Sequence, residues 1–487
     1  MRIGLVSLGC PKNLVDSEVM LGLASAAGHE LTNDPATADV LVVNTCAFID
    51  SAKQESIDTI LEMARHKTSG ACQRLVVTGC LAERYREELA AEIPEIDAVL
   101  GTGDVPRIVG AIEGHASVSP LPVFARTPSG EVRRRVTAGA AVLAEPVPGD
   151  RGAARHRAAA RPLPTYLYDA ATPRVLTTPG HYAYVKIAEG CDYNCAFCVI
   201  PTLRGAYRSR TADSVVAEAE ALAARGVREL VLISQDTTFY GIDRQERGAL
   251  ARLLRRLDAI DGLTWIRLLY LYPTTVTAET LDAMAACEKV CRYIDMPLQH
   301  AADTMLKRMR RPGTRRSYET LVNLIRARLP GVTLRTTFIT GFPGETDEEF
   351  AELVDFVHLV GFDHVGVFTY SHEAGSAAGD LEDDVPDEVK AKRRDRLMRV
   401  QREGVRRRQS ARVGEIVTAM VDGPSREHEL VWQGRLASQA PEIDPVVYFT
   451  DCEVEELSPG AIVRGTIVEA RDYDLVVRPL REEPSAC

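Results

Sequence analysis

From Tyr182 to Tyr370 the sequence alternates between short apolar stretches and amphipathic ones, and this alternation limits the possible folds more than any other feature. Six apolar stretches have the length of strands: Tyr182–Ala188, Glu229–Gln235, Thr264–Pro273, Tyr293–Gln299, Thr333–Phe342 and His364–Tyr370. Strands that are separated by helices pair in parallel, because each helix carries the chain back to the same end of the sheet. Six repeats predict a partial (βα)6 barrel over residues 181–410, with its reactive groups at the carboxyl ends of the strands.

The chain has 487 residues, which leaves room for folded units on both sides of this barrel. Residues 1–114 repeat the alternation of strands and helices on a smaller scale, which predicts a parallel α/β domain. Residues 411–487 contain three β-rich runs (415–421, 446–449 and 461–468) between Gly and Pro residues, which predict a small β-barrel. The overall prediction is an α/β chain of three folded units.

Residues 115–180 interrupt this order with Pro- and Gly-rich sequence that has little apolar periodicity. Between positions 131 and 161 seven arginines stand against three acidic residues, so the local charge is +4. Such a composition buries too little apolar surface to offset the entropy of ordering the chain. We therefore predict a flexible basic insert, and a solvated linker without a function of its own is the simpler interpretation.

Apolar segments and cysteines together indicate the compartment. No stretch of eighteen apolar residues occurs, and the first residues, MRIGLVSLGC, are typical of a strand rather than of a signal peptide. In a reducing compartment the eleven cysteines would serve as metal ligands or catalytic groups more often than as disulfides. We predict a cytoplasmic protein with no membrane partner.

The densest group of cysteines follows the first predicted strand of the barrel. Cys191, Cys195 and Cys198 are separated by four and three positions. A 4Fe–4S cluster takes four ligands, so three cysteines leave one iron open to a small molecule. Zinc is the weaker alternative, because a structural zinc site needs four ligands and usually takes them from two separated pairs. The spacing therefore predicts a 4Fe–4S cluster.

Three more cysteines are far apart in sequence but occupy equivalent positions in the N-terminal domain. Cys10, Cys46 and Cys80 each come just after a predicted parallel strand. The loops at the carboxyl ends of such strands converge, so the three thiols are expected to meet. A single buried cysteine is more often a small apolar filler. Three in equivalent positions predict a second cluster with one open iron.

The motif at Cys191, at the start of a βα barrel, resembles the radical S-adenosylmethionine (SAM) superfamily. The resemblance implies that the open iron binds SAM and that cleavage of SAM yields a 5′-deoxyadenosyl radical. It also implies that Phe197 lies near the adenine of SAM, with core packing as the alternative role. Polar residues at other strand ends are expected to line the same pocket, and we assign Gln235 and Arg335 to SAM. No catalytic residue is assigned.

The two cysteine sets together resemble the methylthiotransferase family, and the resemblance covers nearly the whole chain except residues 115–180. The family has a cluster domain, a radical SAM barrel and a C-terminal β-module called TRAM. The sequences SLGCPKNLVDSE, NTCAFIDSAKQESI and HYAYVKIAEGCDYNCAFCVIP resemble the branch that modifies an aspartate of a small-subunit ribosomal protein, number twelve. A tRNA adenosine methylthiotransferase is the nearest alternative, and a non-catalytic iron–sulfur electron carrier is an alternative of another class.

This resemblance implies a reaction that uses two 4Fe–4S clusters and two molecules of SAM. The radical takes a hydrogen from the β-carbon of the aspartate, sulfur from the N-terminal cluster joins that carbon, and a second SAM supplies the methyl group. The implied partners are a basic protein of the small ribosomal subunit, free or on the ribosome, and an electron donor such as flavodoxin or ferredoxin.

The charge of the C-terminal module bears on the choice of substrate. Residues 411–487 contain seven Arg and no Lys against fifteen acidic residues, a net charge of −8 in a chain whose formal net charge is −11. RNA-binding modules present a basic face, because neutralising phosphates dominates their affinity. A basic ribosomal protein is the better electrostatic complement, and tRNA is the less favoured partner. The simpler interpretation is that the acidic residues only keep the surface soluble.

Replacing residues 123–162 by a short Gly/Ser linker is expected to leave both cluster assembly and SAM cleavage unchanged, because this segment adds no apolar core. Iron content and the formation of 5′-deoxyadenosine measure the outcome. A colourless or insoluble product would show that the segment belongs to a folded core. If SAM cleavage is kept and only the activity on whole ribosomes falls, the arginines of the segment contact ribosomal RNA.

Overall fold

A computed structural model describes residues 1–115, 163–425, 430–452 and 457–480 of the chain. The described residues form a parallel α/β domain, a six-stranded partial barrel and a small closed β-barrel, in that order. The predicted α/β fold with its C-terminal β-barrel is therefore confirmed. Most of the predicted insert, residues 116–162, lies outside the described residues.

The N-terminal domain is a five-stranded parallel sheet with helices on both faces. Its strands are β1 (Arg2–Ser7), β2 (Glu30–Leu31), β3 (Val40–Thr45), β4 (Arg74–Gly79) and β5 (Ala98–Leu100). Its helices are α1 (Pro11–Ala26), α2 (Asp50–Ser69), α3 (Cys80–Arg84), α4 (Arg86–Glu92) and α5 (Ile108–Glu113). The strand order is β2-β1-β3-β4-β5, and the central strand β3 is buried along its whole length, as a strand covered on both faces must be.

The partial barrel contains six parallel strands and a short antiparallel pair, β7 with β8. Its strands are β6 (Tyr182–Lys186), β7 (Ala188–Glu189), β8 (Arg208–Ser209), β9 (Glu229–Ile233), β10 (Trp265–Leu268), β11 (Tyr293–Asp295), β12 (Thr333–Thr340) and β13 (His364–Thr369). Its helices are α6 (Ile200–Arg204), α7 (Ala212–Ala224), α8 (Ala249–Asp258), α9 (Ala278–Ala286), α10 (Asp303–Arg308), α11 (Arg315–Arg328) and α12 (Asp347–Val360).

The barrel strands follow one another in chain order around the curve. Strands β6, β9 and β10 form one sheet and β11, β12 and β13 form a second, and a parallel bridge from Ile266 to Val290 joins them. The third strand ends at Leu268, five residues earlier than the apolar pattern predicts. The backbone leaves the strand conformation here, because Tyr270 has a positive φ of 61°.

The remaining helix, α13 (Asp387–Ala411), packs against β12 and β13 on the outside of the barrel and leads into the C-terminal module. Within the part of the chain that the structure describes, no helix is both long and apolar enough to cross a membrane. The module has five strands: β14 (Ile416–Pro424), β15 (Trp432–Leu436), β16 (Val447–Phe449), β17 (Ile462–Arg471) and β18 (Asp474–Pro479). They close into a barrel in the order β14-β15-β16-β18-β17.

The segment between β15 and β16, residues 437–446, covers the amino end of the large barrel. Tyr182 and Tyr293 are the first residues of β6 and β11. The Tyr182 hydroxyl donates to a carboxylate oxygen of Glu442 at 3.1 Å, and the Tyr293 hydroxyl donates to Asp444 at 2.5 Å. The C-terminal module therefore lies at the end of the barrel opposite to the cysteine-bearing loops, which follow the carboxyl ends of the strands.

A buried ion network holds the module to the barrel. Arg435 of β15 is 2% exposed, and its Nη1 atom donates to the Glu229 carboxylate at 2.6 Å. Its Nε atom donates to Asp422 at 2.8 Å, and the buried Arg267 donates to the other oxygen of Glu229 at 2.8 Å. Burial alone would raise the pKa of Glu229, but Arg435 and Arg267 outweigh it and hold this pKa below its usual value. Glu229 is therefore ionised in the folded protein.

The sequence analysis placed residues 163–180 in the flexible insert, but in the structure side-chain contacts fasten this segment to the folded domains. Tyr168 is buried, and its hydroxyl lies 3.1 Å from the Glu218 carboxylate. The Arg174 side chain donates from Nε to Glu18 of α1 at 2.9 Å and from Nη1 to Glu218 at 2.6 Å. Single anchoring side chains such as these fasten a segment without producing any apolar periodicity, so the pattern did not reveal them.

Arg435→Met is expected to lower the free energy of unfolding by about 3–5 kcal/mol, because it leaves the carboxylates of Glu229 and Asp422 buried beside one cation fewer. Urea or thermal unfolding monitored by circular dichroism measures the change. Arg471→Met is the matched control and is expected to be nearly neutral, since its partner Glu469 is exposed. Similar losses in the two variants would contradict the stabilising role of the network.

Candidate functional site

The cysteine loop of the barrel follows β7 and is fastened by its backbone. Cys191, Cys195 and Cys198 are all partly exposed. The Cys191 amide donates to the Gly205 carbonyl at 3.1 Å, and the Cys198 amide donates to the Cys195 carbonyl at 3.1 Å. The Ile200 amide donates to the Cys198 sulfur at 3.4 Å. The loop thus presents three thiols from one fixed turn at the carboxyl end of the first barrel strand.

One arginine that the sequence analysis did not single out lies against this loop. The Nη1 atom of Arg311 is 3.6 Å from the Cys195 sulfur, and its Nη2 atom donates to the Pro297 carbonyl at 2.5 Å. Burial raises the pKa of Cys198 to about 12, the thiolates of Cys195 and Cys191 add to the rise, and Arg311 opposes it. Thiols whose charge raises the pKa of their neighbour Cys198 suit a polynuclear metal group, which binds thiolates and compensates their charge.

The N-terminal domain brings its three widely spaced cysteines to one edge of the sheet. Cys10 follows β1, Cys46 follows β3 and Cys80 follows β4, and these three strands are neighbours. A Cβ atom on Gly9 would lie 2.8 Å from the Cys46 Cβ atom and 3.0 Å from its sulfur. Gly9 also has a φ of +86°, so only glycine lets the loops of β1 and β3 approach this closely.

The charges around these thiols differ from one cysteine to the next. Burial raises the pKa of Cys80 to about 12, and the thiolates of Cys10 and Cys46 add to this rise. Burial also acts to raise the pKa of Cys10, but Lys12 and Arg204 outweigh it and lower this pKa. The second thiol set therefore resembles the first: the charge of two cysteines raises the pKa of the third, and cationic side chains lie beside the thiols.

Both cysteine sets fit a polynuclear cluster better than a mononuclear metal ion. Within the described ranges, no three His, Cys, Asp or Glu side chains converge as ligands of one ion do. A 4Fe–4S cluster binds each cysteine at a different iron, so its ligands surround the group instead of meeting at a point. Cys191, Cys195 and Cys198 lie on one short loop, and Cys10, Cys46 and Cys80 follow three neighbouring strands, so the thiols of each set can surround such a group.

A single five-residue helix connects the two cysteine sets. Helix α6 begins two residues after Cys198 and ends at Arg204, whose Nη2 atom is 3.6 Å from the Cys80 sulfur. Five helical residues span only about 7 Å. Helix α6 contacts α3, whose first residue is Cys80, so this short helix lies between Cys198 of the barrel and Cys80 of the N-terminal domain.

Arg204 is part of a buried network of charges between the two domains. Its Nη1 atom donates to Asp16 of α1 at 2.7 Å and to Glu189 of β7 at 3.1 Å. The Lys186 ammonium donates to the same two carboxylates at 2.5 and 2.6 Å. Burial acts to raise the pKa of Glu189, but Arg204 and Lys186 outweigh it and hold this pKa far below its usual value. Two cations and two carboxylates thus join the N-terminal domain to the barrel beside both cysteine sets.

Lys12 lies next to this network without taking part in it. Its side chain is 8% exposed, and its Nζ atom stands 3.2 Å from the centre of the Tyr270 ring. Cys10, Glu189 and Asp295 are the acidic groups that act on it electrostatically. The sequence analysis did not single out Lys12 or Tyr270, because neither has a spacing relation to the cysteines that a motif would reveal.

The three residues that the sequence analysis assigned to SAM have different surroundings. Phe197 is partly buried against an apolar cluster beside the cysteine loop. The Gln235 side-chain amide donates to Glu189 at 2.5 Å, and among the described residues no donor reaches its buried Oε1 atom. Arg335 donates to Asp295 at 2.7 Å and lies 3.3 Å from Asp444 of the C-terminal module. Phe197 and Gln235 are thus beside the cysteine sets, whereas Arg335 is held by two carboxylates, one of them from the module.

An aromatic pair and a buried carboxylate complete the mouth of the barrel. The rings of Tyr193 and Tyr272 stack with their centres 3.8 Å apart. The Tyr193 hydroxyl donates to Asp236 at 2.7 Å, and Asp236 also accepts from the Thr238 amide at 2.8 Å. These contacts fix the cysteine loop against the carboxyl ends of β9 and β10.

Three family models match this chain. An uncharacterized protein family, UPF0004, matches residues 2–101, the radical SAM superfamily matches residues 185–357, and the TRAM domain matches residues 413–479. The first range contains the N-terminal cysteine set, and the second contains the cysteine set of the barrel. The two thiol sets therefore belong to different family models within one chain.

Curated relatives match nearly the whole chain. The ribosomal protein uS12 methylthiotransferase RimO of Koribacter versatilis is 48% identical over 492 residues, which cover 98% of this chain and 96% of its own. The protein of the same name from Pelotomaculum thermopropionicum is 46% identical over 475 residues and 98% of each chain. These relatives match the N-terminal domain, the barrel and the C-terminal module together.

Solved structures show the same fold at much lower identity. The radical S-adenosylmethionine methyltransferase TsrM from Kitasatospora setae, with cobalamin and a 4Fe–4S cluster bound, is 19% identical. The match has a TM-score of 0.52 and covers 78% of this chain and 74% of TsrM. At this identity the likeness concerns the fold alone.

Proposed function

Because this chain belongs to the family of ribosomal protein uS12 methylthiotransferases, which are radical SAM enzymes, we propose that it attaches a methylthio group to the β-carbon of an aspartate in uS12. The observation that carries this proposal is the pair of cysteine sets separated by helix α6. A reaction that joins sulfur to an unactivated carbon needs a radical source and a sulfur source within reach of the same atom. Two open clusters on either side of one short helix would meet this need.

We assign one 4Fe–4S cluster to Cys191, Cys195 and Cys198 and a second to Cys10, Cys46 and Cys80. When bound, the first cluster supplies the electron that cleaves SAM and the second supplies sulfur. The protein contributes position and shielding. Arg311 and Arg204, each 3.6 Å from a cysteine sulfur, place positive charge beside the thiolates.

The contacts at the barrel mouth support a role for Phe197 and Gln235 in binding SAM. Phe197 offers an apolar surface beside the last cysteine, and Gln235 has a buried amide oxygen that a ligand donor would satisfy. Arg335 is the weaker candidate, because Asp295 and Asp444 already occupy its guanidinium group. For the electron we propose a donor such as flavodoxin or ferredoxin.

Two sets of variants are expected to separate the two clusters. Cys191→Ala, Cys195→Ala or Cys198→Ala should abolish SAM cleavage, because the cluster at the barrel loop loses a ligand. Replacing Cys10, Cys46 and Cys80 together should leave cleavage measurable but stop formation of the methylthio product. Anaerobic reconstitution of the intact chain should give about eight irons, and each set of variants should lose about four.

The readout is mass spectrometry of uS12 and of tRNA from a deletion strain that carries each variant. Cys287→Ala is the matched control. Cys287 lies far from both sets along the sequence, and it is buried in the core of the barrel. The proposal requires that uS12 alone loses its methylthio group in the deletion strain. Loss of the group from tRNA, or normal uS12 product from the N-terminal triple variant, would refute it.

The acidic C-terminal module offers a test of the substrate that does not depend on the clusters. Converting Glu453, Glu455 and Glu456, which lie outside the described residues, to Gln or Lys is expected to weaken product formation on uS12, because a basic protein loses its electrostatic complement. SAM cleavage without substrate should stay unchanged. Tight binding of tRNA by the wild-type module, with no effect of these substitutions on uS12, would favour the tRNA branch instead.

A further inference from the structure

Lys12 is a buried cation that pairs with no carboxylate among the residues that the structure describes. Its side chain is 8% exposed, and within the described part of the chain no carboxylate oxygen forms an ion pair with its Nζ atom. The contact of its ammonium group is the face of the Tyr270 ring, 3.2 Å away at the ring centre. A buried ammonium group is costly unless an anion or several hydrogen-bond acceptors compensate it, and an aromatic face compensates only part of that cost.

The carboxylates nearest to Lys12 are already bound by other groups. Asp295 accepts from Arg335 at 2.7 Å and from the Tyr270 amide at 3.0 Å. Glu189 accepts from Lys186, Arg204 and Gln235. Each of these carboxylates acts on Lys12 only from a distance. Cys10 also acts on Lys12, but we assign this thiol to the second cluster, so among the described residues the ammonium group keeps hydrogen-bond donors for a further acceptor.

Tyr270 is held in an unfavourable backbone conformation that keeps its ring beside Lys12. Its φ of 61° is rare for a residue with a bulky side chain. The conformation is fixed from both sides, because its amide donates to Asp295 at 3.0 Å and its carbonyl accepts from the Thr237 amide at 2.9 Å. Strain of this kind persists mainly where it positions a group for function.

Lys12 lies at the boundary between the N-terminal domain and the mouth of the barrel. It is the second residue after Cys10, in the first turn of α1. Tyr270 is the second residue after the carboxyl end of β10, at the mouth of the barrel. In the proposed reaction, the substrate carbon meets a radical formed in the barrel and sulfur from the N-terminal domain. It must therefore enter the space between these two domains.

We propose that Lys12 binds the side-chain carboxylate of the target aspartate and so selects an acidic residue and orients its β-carbon. This inference rests on the proposed function, since it names the group that recognises the substrate of that same site. Lysine suits the role, because an ammonium group binds one carboxylate oxygen through a short charge-assisted hydrogen bond while its long side chain reaches out from α1. Tyr270 acts as a positioning residue that keeps the ammonium group in place.

A two-by-two binding cycle tests the proposal on the cluster-loaded protein. A peptide copy of the uS12 segment with the target aspartate, and the same peptide with Asn in its place, are titrated into the wild-type protein and the Lys12→Met variant by anaerobic calorimetry. The wild type is expected to bind the Asp peptide about 10- to 100-fold more tightly, whereas Lys12→Met should bind both peptides with the same weak affinity. Lys67→Met is the matched control, because Lys67 of the same domain already pairs with Asp97.

The outcomes separate this inference from the function on which it rests. If Lys12→Met still prefers the Asp peptide, or if the wild type binds both peptides alike, Lys12 does not bind the carboxylate. If Lys12→Met binds less iron than the wild type, the same titrations are made with Lys12→Gln. A Lys12→Gln variant that still prefers the Asp peptide as strongly as the wild type does would also overturn the inference. Failure of the wild-type enzyme to modify uS12 at all would instead refute the proposed function.

Discussion

The structure depends on a buried network of ion pairs between its first two domains. Lys186 and Arg204 of the barrel both donate to Asp16 of the N-terminal domain and to Glu189 at the mouth of the barrel. Each of these ions would be costly to bury alone, and removing one partner would leave a charge without compensation. The network therefore stabilises the relative placement of the domains in which Cys80 lies next to Arg204.

Buried ion pairs also hold the C-terminal module to the opposite end of the barrel. Arg435 of the C-terminal module enters a buried site where Glu229 begins a barrel strand, and Glu442 and Asp444 accept hydrogen bonds from tyrosines at the starts of two others. The amino end is closed by the module, and the carboxyl end faces the N-terminal domain. The strand ends, the cysteine loop and helix α1 thus meet at the end of the barrel that the module does not cover. Lys12 differs from these paired charges, since within the described ranges its ammonium group contacts an aromatic ring and no carboxylate.

Sequence reasoning succeeded where the signal is local or repeats at a fixed interval. The alternation of strands and helices predicted the six-stranded barrel, and positions just after strands predicted that Cys10, Cys46 and Cys80 would share one edge. It was less successful in the small β-barrel, where strands β15 and β18 carry Arg435, Arg478 and Asp474 within short apolar runs. It also placed residues 163–180 in a flexible insert, although Tyr168 and Arg174 fasten them to the folded domains.

The sequence by itself determined the order of the domains, the class of each fold and the positions of the six thiols after strand ends, because strand periodicity and cysteine spacing are properties of neighbouring residues. Only the tertiary structure decided which charges compensate one another. Arg204 lies 124 positions from Cys80, Lys12 lies 258 positions from Tyr270, and Arg335 lies 109 positions from Asp444. Electrostatic pairing depends on distance and burial in space, so no local pattern reveals that Arg335 is held by the C-terminal module or that Lys12 lies against the ring of Tyr270.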